Sequence, residues 1–187
     1  MLFSGYLTIK EKIDDSYQIK FKDSNKETQT FFKGMFVDIV FKGNNNIGDM
    51  KQALYSKDIG RIIRILEEVV LNAMSFYDTD KKYENPYQTL ISGFLYGLDT
   101  FYEMIPNIES GYGRADIILE PRHKNWTGYI FELKRAKIKD RKKEADNALK
   151  QIEENKYEAL LKRKGIKDIV KIGLVFDRKK VEASYRE

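Results

Sequence analysis

In the segment Gly128-Tyr129-Ile130-Phe131-Glu132-Leu133-Lys134, an apolar run carries an acid and a base two residues apart. Its aromatic and β-branched content reads as a strand. Period-2 alternation then places Glu132 and Lys134 on one face, with Phe131 and Leu133 on the other. Charges set among such neighbours are costly unless they pair or bind a cation. Whatever this chain folds into must therefore bring a partner to that face of the strand.

The surrounding pattern supplies the rest of a sheet. From Glu84 onward the elements read α-β-β-β-α-β. Asn85-Pro86 makes a helix start, because Asn caps and Pro suits the first helical position. This helix is expected to run to about Met104, with Ile91, Phe94, Leu95, Leu98 and Tyr102 on its buried stripe. Strands follow at Met104–Ile108, Ala115–Glu120 and Gly128–Lys134, with turns at Gly111-Tyr112-Gly113 and Pro121–Asn125. A long charged helix over Lys139–Lys164 ends at Gly165, a C-cap. Ile169–Phe176 is apolar enough to be an interior strand.

Upstream, Gly5–Lys10, Tyr17–Lys22 and Thr30–Val40 read as strands. Gly43-Asn44-Asn45-Asn46 marks a break. Two helices come next, the second with Ile59, Ile62, Ile63, Leu66, Val70 and Ala73 at helical spacing. Asp78–Lys82 is a polar linker. The expected division is a small α+β segment over 1–78 and an α/β domain over 79–187.

Charge is unevenly spread. Residues 1–120 hold 14 Lys and Arg against 18 Asp and Glu, and residues 121–187 hold 20 against 11. A basic last third suits a polyanion, since each phosphate neutralised releases counterions. Lys and Glu alternating on solvated helix faces would give the same imbalance. No stretch approaches 18 apolar residues, so no membrane span is expected. The first residues lack the pattern of a signal peptide. Cysteine is absent, which removes disulfides and thiolate zinc sites and fits a cytoplasmic setting.

Asp116 lies in the strand before Glu132, and a tight connection would set the two strands side by side. Two carboxylates and an ammonium then converge. The oxygen-rich pair suits a hard cation such as Mg2+ or Mn2+, and such an ion polarises a phosphoryl oxygen. Lys134 would orient the attacking water and offset negative charge. An ordinary ion pair between Glu132 and Lys134, with Asp116 capping a turn, competes with this reading. His123 is the single histidine and lies in a turn, which argues against zinc or a serine-type triad. Trp126 beside it is read as capping an edge of the core, with base stacking as the alternative.

Four segments together carry a resemblance. They are Asn107–Ile118, Phe131-Glu132-Leu133-Lys134, Ala148–Tyr157 and Lys171–Phe176. In this order they resemble a PD-(D/E)XK nuclease-superfamily domain found at the C-terminus of bacterial AAA-ATPase-like proteins. Ser4–Ile9 resembles the region that joins the two parts in those proteins. The resemblance implies a restriction-endonuclease-like αβββαβ core, a mixed central sheet flanked by helices, and metal-dependent cleavage of DNA or RNA. It makes Asp116 and Glu132 the metal ligands and Lys134 the catalytic lysine. Glu84 and Gln151 take auxiliary positions, with a charge favoured by the helix dipole and a solvated glutamine as the competing readings; Arg114, Arg135 and Lys137 are candidate nucleic-acid contacts, with pairing to Glu109 the competing reading of Arg114. Mg2+ or Mn2+ is the implied cofactor. The implied partners are nucleic acid, with DNA ahead of RNA, a second copy of the chain, and an ATPase domain outside it. Tyr87 is followed by Gln88 where those proteins commonly carry histidine. This departure leaves a catalytically weak or inactive nucleic-acid-binding module as the alternative. No Gly-x4-Gly-Lys-Ser/Thr loop occurs, so the chain carries no P-loop of its own.

Overall fold

The computed structural model describes residues 7–13, 16–21, 46–73, 86–110, 113–135, 138–178 and 180–187. Two compact units divide the chain, Met1–Gly43 and Asn44–Glu187. The first contains an antiparallel hairpin of β1 (Leu7–Ile13) and β2 (Ser16–Phe21), with a register shift between Ile9 and Glu11. The third strand expected here, Thr30–Val40, lies outside the described residues.

The larger unit begins with α1 (Asn46–Tyr55) and α2 (Ile59–Ala73). Both helices belong to the compact unit that begins at Asn44, and α2 shows why. Ile59, Ile62, Leu66 and Val70 are buried as the periodicity predicts, and Ile65 and Val69 join them. An apolar face this wide has to be covered by more than a hairpin. Tyr129 of the sheet also ties α1 in, its hydroxyl donating to the Leu54 carbonyl over 2.6 Å. The polar linker at 78–82 lies outside the described residues.

Five strands form the sheet: β3 (Tyr102–Ser110), β4 (Gly113–Pro121), β5 (Gly128–Arg135), β6 (Ile169–Asp177) and β7 (Lys180–Arg186). They stand in chain order, and only β5 and β6 run parallel. The result is a mixed α/β sheet flanked by helices, consistent with the restriction-endonuclease-like class. A parallel pair needs a crossover, and α4 (Arg141–Glu154) with α5 (Ala159–Arg163) provides it.

Four local expectations change. The helix that opens the core, α3, covers Pro86–Leu95 and closes with a 3-10 turn at Tyr96–Leu98. The stripe named from the sequence is buried, but Tyr102 reaches the core from a strand, opposite Pro121. Sheet pairing here outweighs helical periodicity. The connection from β4 to β5 is not a tight turn; it takes residues 122–127, folded around the Trp126 ring. The expected single helix over Lys139–Lys164 breaks at residues 155–158, with Lys156 at φ 53°. That break turns Tyr157 inward to a cluster with Ala115, Ile118, Ile130, Ile152, Leu161 and Ile166. Gly165, at φ 85°, ends α5 in the left-handed conformation anticipated for it. Finally β7 adds an edge strand that the sequence reading left out, since Lys180, Glu182 and Arg186 mask its weak alternation.

The two faces of the sheet carry different helices. Gly173 of β6 lies against α4: a Cβ there would stand 2.5 Å from the Ala145 carbonyl oxygen and 2.6 Å from the Leu149 nitrogen. Glycine is what lets helix and strand backbones approach so closely. By alternation Phe176 points the other way, where the ring of Tyr87 from α3 stacks on it at 4.8 Å.

Candidate active site

Glu132 pairs with Gly173 and Lys134 with Val175 in the parallel register. Their side chains therefore share the α4 face. There Lys134 Nζ donates to Glu132 Oε1 over 2.8 Å and to Gln151 Oε1 over 2.7 Å. Gln151 Nε2 donates to the same Glu132 Oε1 over 2.6 Å, closing a three-membered ring of contacts. Gln151 comes from α4, whose residues Ala145, Ala148, Leu149 and Ile152 are buried. The helix register that packs these residues on the sheet thus also delivers Gln151 to the carboxylate.

Asp116 joins from β4. The antiparallel register between β4 and β5 ends with Ile117 opposite Phe131. One step further, Asp116 uses its side chain in place of a ladder bond, Oδ2 accepting the Leu133 N–H over 2.8 Å. Its Oδ1 accepts from Gln88 Nε2 of α3 over 3.3 Å. The three residues singled out from the sequence are therefore brought to one end of β4 and β5, together with Gln151.

Electrostatics at this point are unbalanced. Glu132 is only 3% exposed. Burial pushes its carboxyl above the ordinary range; the Lys134 bond opposes that rise, and the nearby Asp116 charge adds to it. Glu132 Oε1 carries both donors, whereas Oε2 is buried with no hydrogen-bond partner among the described residues. Buried polar atoms are rarely left so. A divalent cation fits this donor set: two carboxylates are hard oxygen ligands, and one presents an oxygen that no donor among the described residues satisfies. Among the described residues no cluster of three or more His, Cys, Asp or Glu is assembled, so the protein would supply two carboxylates at most from these residues. That is usual for a cation that keeps much of its hydration.

The sequence model of the PD-(D/E)XK nuclease superfamily matches residues 82–185. The chain belongs to that superfamily. A search of the curated proteins finds no match. The superfamily span takes in α3, the five-stranded sheet up to Tyr185 of β7 and the α4–α5 crossover. The nuclease-superfamily domain is thus the part of the larger unit that carries Asp116, Glu132 and Lys134.

Other residues named from the sequence fall differently. Arg135 is exposed at the end of β5. Glu84 and Lys137, and the side chain of Arg114, lie outside what is described. His123 is exposed with its ring 4.7 Å from that of Trp126, which also meets Tyr55, Phe101 and Tyr102. This surround fits the core-edge reading of Trp126. Two contributors were not anticipated. Gln88 was noted only for its identity, and its contact with Asp116 depends on the angle at which α3 crosses the sheet. Tyr157 is buried beneath Gln151, its oxygen accepting from Gln151 Nε2 over 3.3 Å and from Asn155 Nδ2 over 3.1 Å. A tyrosine just past a helix break is a weak signal by itself.

Proposed function

We propose that this chain is a divalent-cation-dependent nuclease hydrolysing phosphodiester bonds, with DNA as the favoured substrate and RNA as the other. The observation that carries the reading is Glu132 Oε2, a buried carboxylate oxygen without a donor among the described residues, next to a second carboxylate. An anion in that state is costly, and a hard cation relieves it. Asp116 and Glu132 would hold Mg2+ or Mn2+. When bound, such an ion supplies Lewis-acid charge to the phosphoryl group. Lys134, half-buried and already fixed between Glu132 and Gln151, holds a positive charge where phosphoryl oxygens would become more negative. Gln151 keeps the ammonium in place without adding charge. Glu84 would serve as a further acidic group. Arg135, Lys137 and Arg114 would neutralise backbone phosphates on either side of the scissile bond, drawing on the basic last third. Pairing with a second copy of the chain would set two such centres against two strands. An ATPase domain outside this chain is the associated activity implied by the resemblance of Ser4–Ile9.

A second reading is a nucleic-acid-binding module that does not cut, favoured by Gln88 where histidine is common in the proteins this chain resembles. Incubation with linear, circular and single-stranded substrates, in Mg2+, Mn2+ or a chelator, separates the two. Cleavage that needs the metal and vanishes in Glu132→Ala and Lys134→Ala supports the enzyme. Salt-sensitive binding without cleavage in either metal supports the module, and no binding at all rejects both.

A further inference from the structure

Each carboxylate of the site is held by a glutamine, and the two glutamines arrive from opposite layers. α4 lies on the Gly173 face and α3 on the Phe176 face. Gln151 from α4 donates to Glu132, and Gln88 from α3 donates to Asp116. Gln88 reaches Asp116 because the β4–β5 register ends at Ile117 and Phe131, leaving the carboxylate at an opening between strands. The helix that brings it is anchored one residue earlier. Tyr87 is 2% exposed, its ring stacks on Phe176, and its hydroxyl donates to the Arg178 carbonyl over 3.0 Å.

Resting on the reading that Asp116 and Glu132 hold a divalent cation, we propose that Gln88 is a positioning residue for Asp116. An ionised carboxylate only accepts, so the side-chain amide must turn its NH2 toward it. With Leu133 N–H on Oδ2 and Gln88 on Oδ1, the carboxylate is held at both oxygens, one from the sheet and one from a helix. The Leu133 bond fixes Oδ2. The Gln88 bond fixes Oδ1 from the other layer, so the ligand is oriented before the ion arrives. Groups that orient a ligand from behind commonly change metal affinity by about 10–100-fold when removed.

The test is Mn2+ binding to the purified, metal-free protein without nucleic acid, read from loss of the free-ion paramagnetic resonance signal. Gln88→Leu keeps bulk and helix propensity while removing the donor, and Gln88→Ala is the second donor-free variant. Both should bind Mn2+ about tenfold or more weakly than the wild type, with metal-free melting temperatures close to it. Gln88→His, which restores an N–H donor, should recover most of the affinity. Wild-type affinity in both donor-free variants overturns the role of Gln88 and leaves the cation site standing. Failure of His to recover affinity also counts against it, pointing to shape rather than donation. If the wild-type protein binds no Mn2+, the cation site falls and the role of Gln88 with it.

Discussion

Asp116 and Leu133 are joined by a side chain doing the work of a strand: Asp116 Oδ2 accepts the Leu133 N–H over 2.8 Å just past the end of the β4–β5 register. The residue proposed as a metal ligand therefore also satisfies the backbone of the strand that carries Glu132 and Lys134. Asp116→Ala should leave that buried N–H without an acceptor and cost about 1–3 kcal/mol of stability. Asp116→Asn keeps an acceptor oxygen and should retain most of the stability while losing metal-dependent cleavage. Urea denaturation followed by circular dichroism distinguishes the two variants, and equal losses would mean the N–H finds another acceptor.

Glu132 poses the reverse case. Burial raises its carboxyl and Oε2 has no donor among the described residues, so the ionised side chain works against folding when no cation is present. Glu132→Gln removes the charge at nearly constant shape. The metal-free variant should melt higher than the wild type by a few degrees, since each kcal/mol is worth roughly 2–4 °C at this size. Mn2+ binding should vanish. Calorimetry in a chelator gives the answer, and a lower melting temperature would show that the Lys134 ion pair outweighs the cost of burial.

Asp168 contributes in the opposite sense. Burial opposes the charge of Asp168, but Lys57 Nζ at 2.5 Å and Thr127 Oγ1 at 2.7 Å outweigh it and hold the carboxyl below the ordinary range. A depressed carboxyl stabilises the fold above its unfolded value of about 4. That stability is lost as pH falls from there through the folded value. The Asp168 side chain is 43% exposed, so screening keeps the effect to about 1 kcal/mol or less. Asp168→Asn should flatten the loss of stability below about pH 4 relative to the wild type. Parallel pH profiles for the two proteins would refute this.

At Gly173 the approach of α4 leaves no room for a methyl group. Two of the atoms a Cβ would meet are backbone, so the helix has to move. Gly173→Ala should cost about 1–3 kcal/mol and also weaken Mn2+ binding, because the shift carries Gln151 away from Glu132. Unchanged denaturation and unchanged binding would show that α4 adjusts without strain.

Much of this was legible in the residues. Alternation in Gly128–Lys134 put Glu132 and Lys134 on one face, and the parallel register confirms that they share it. The apolar run Ile169–Phe176 became β6, whose interior residues Ile172, Leu174, Val175 and Phe176 are buried. What escaped depended on relations between elements. Tyr102 fits a helical stripe and a strand equally well, and only its pairing with β4 decides. Nothing local in Asn155-Lys156-Tyr157 announces a helix break; the pull of the cluster around Tyr157 supplies it. β7 depends on the open edge of β6. The contact of Gln88 with Asp116 needs a helix and a strand 28 residues apart.

The break after α4 also fixes a length. A straight helix over residues 139–164 would measure about 39 Å, while the eight residues of β5 span about 26 Å. Bending the crossover at Lys156 folds the surplus back, so the chain returns level with Gly128, where Ile169 pairs. Inserted residues should accordingly be absorbed at positions 155–158, downstream of Gln151. A single insertion between Arg141 and Gln151 would instead swing Gln151 about 100° around the helix, out of reach of Glu132. Natural or designed variation in crossover length belongs after Glu154.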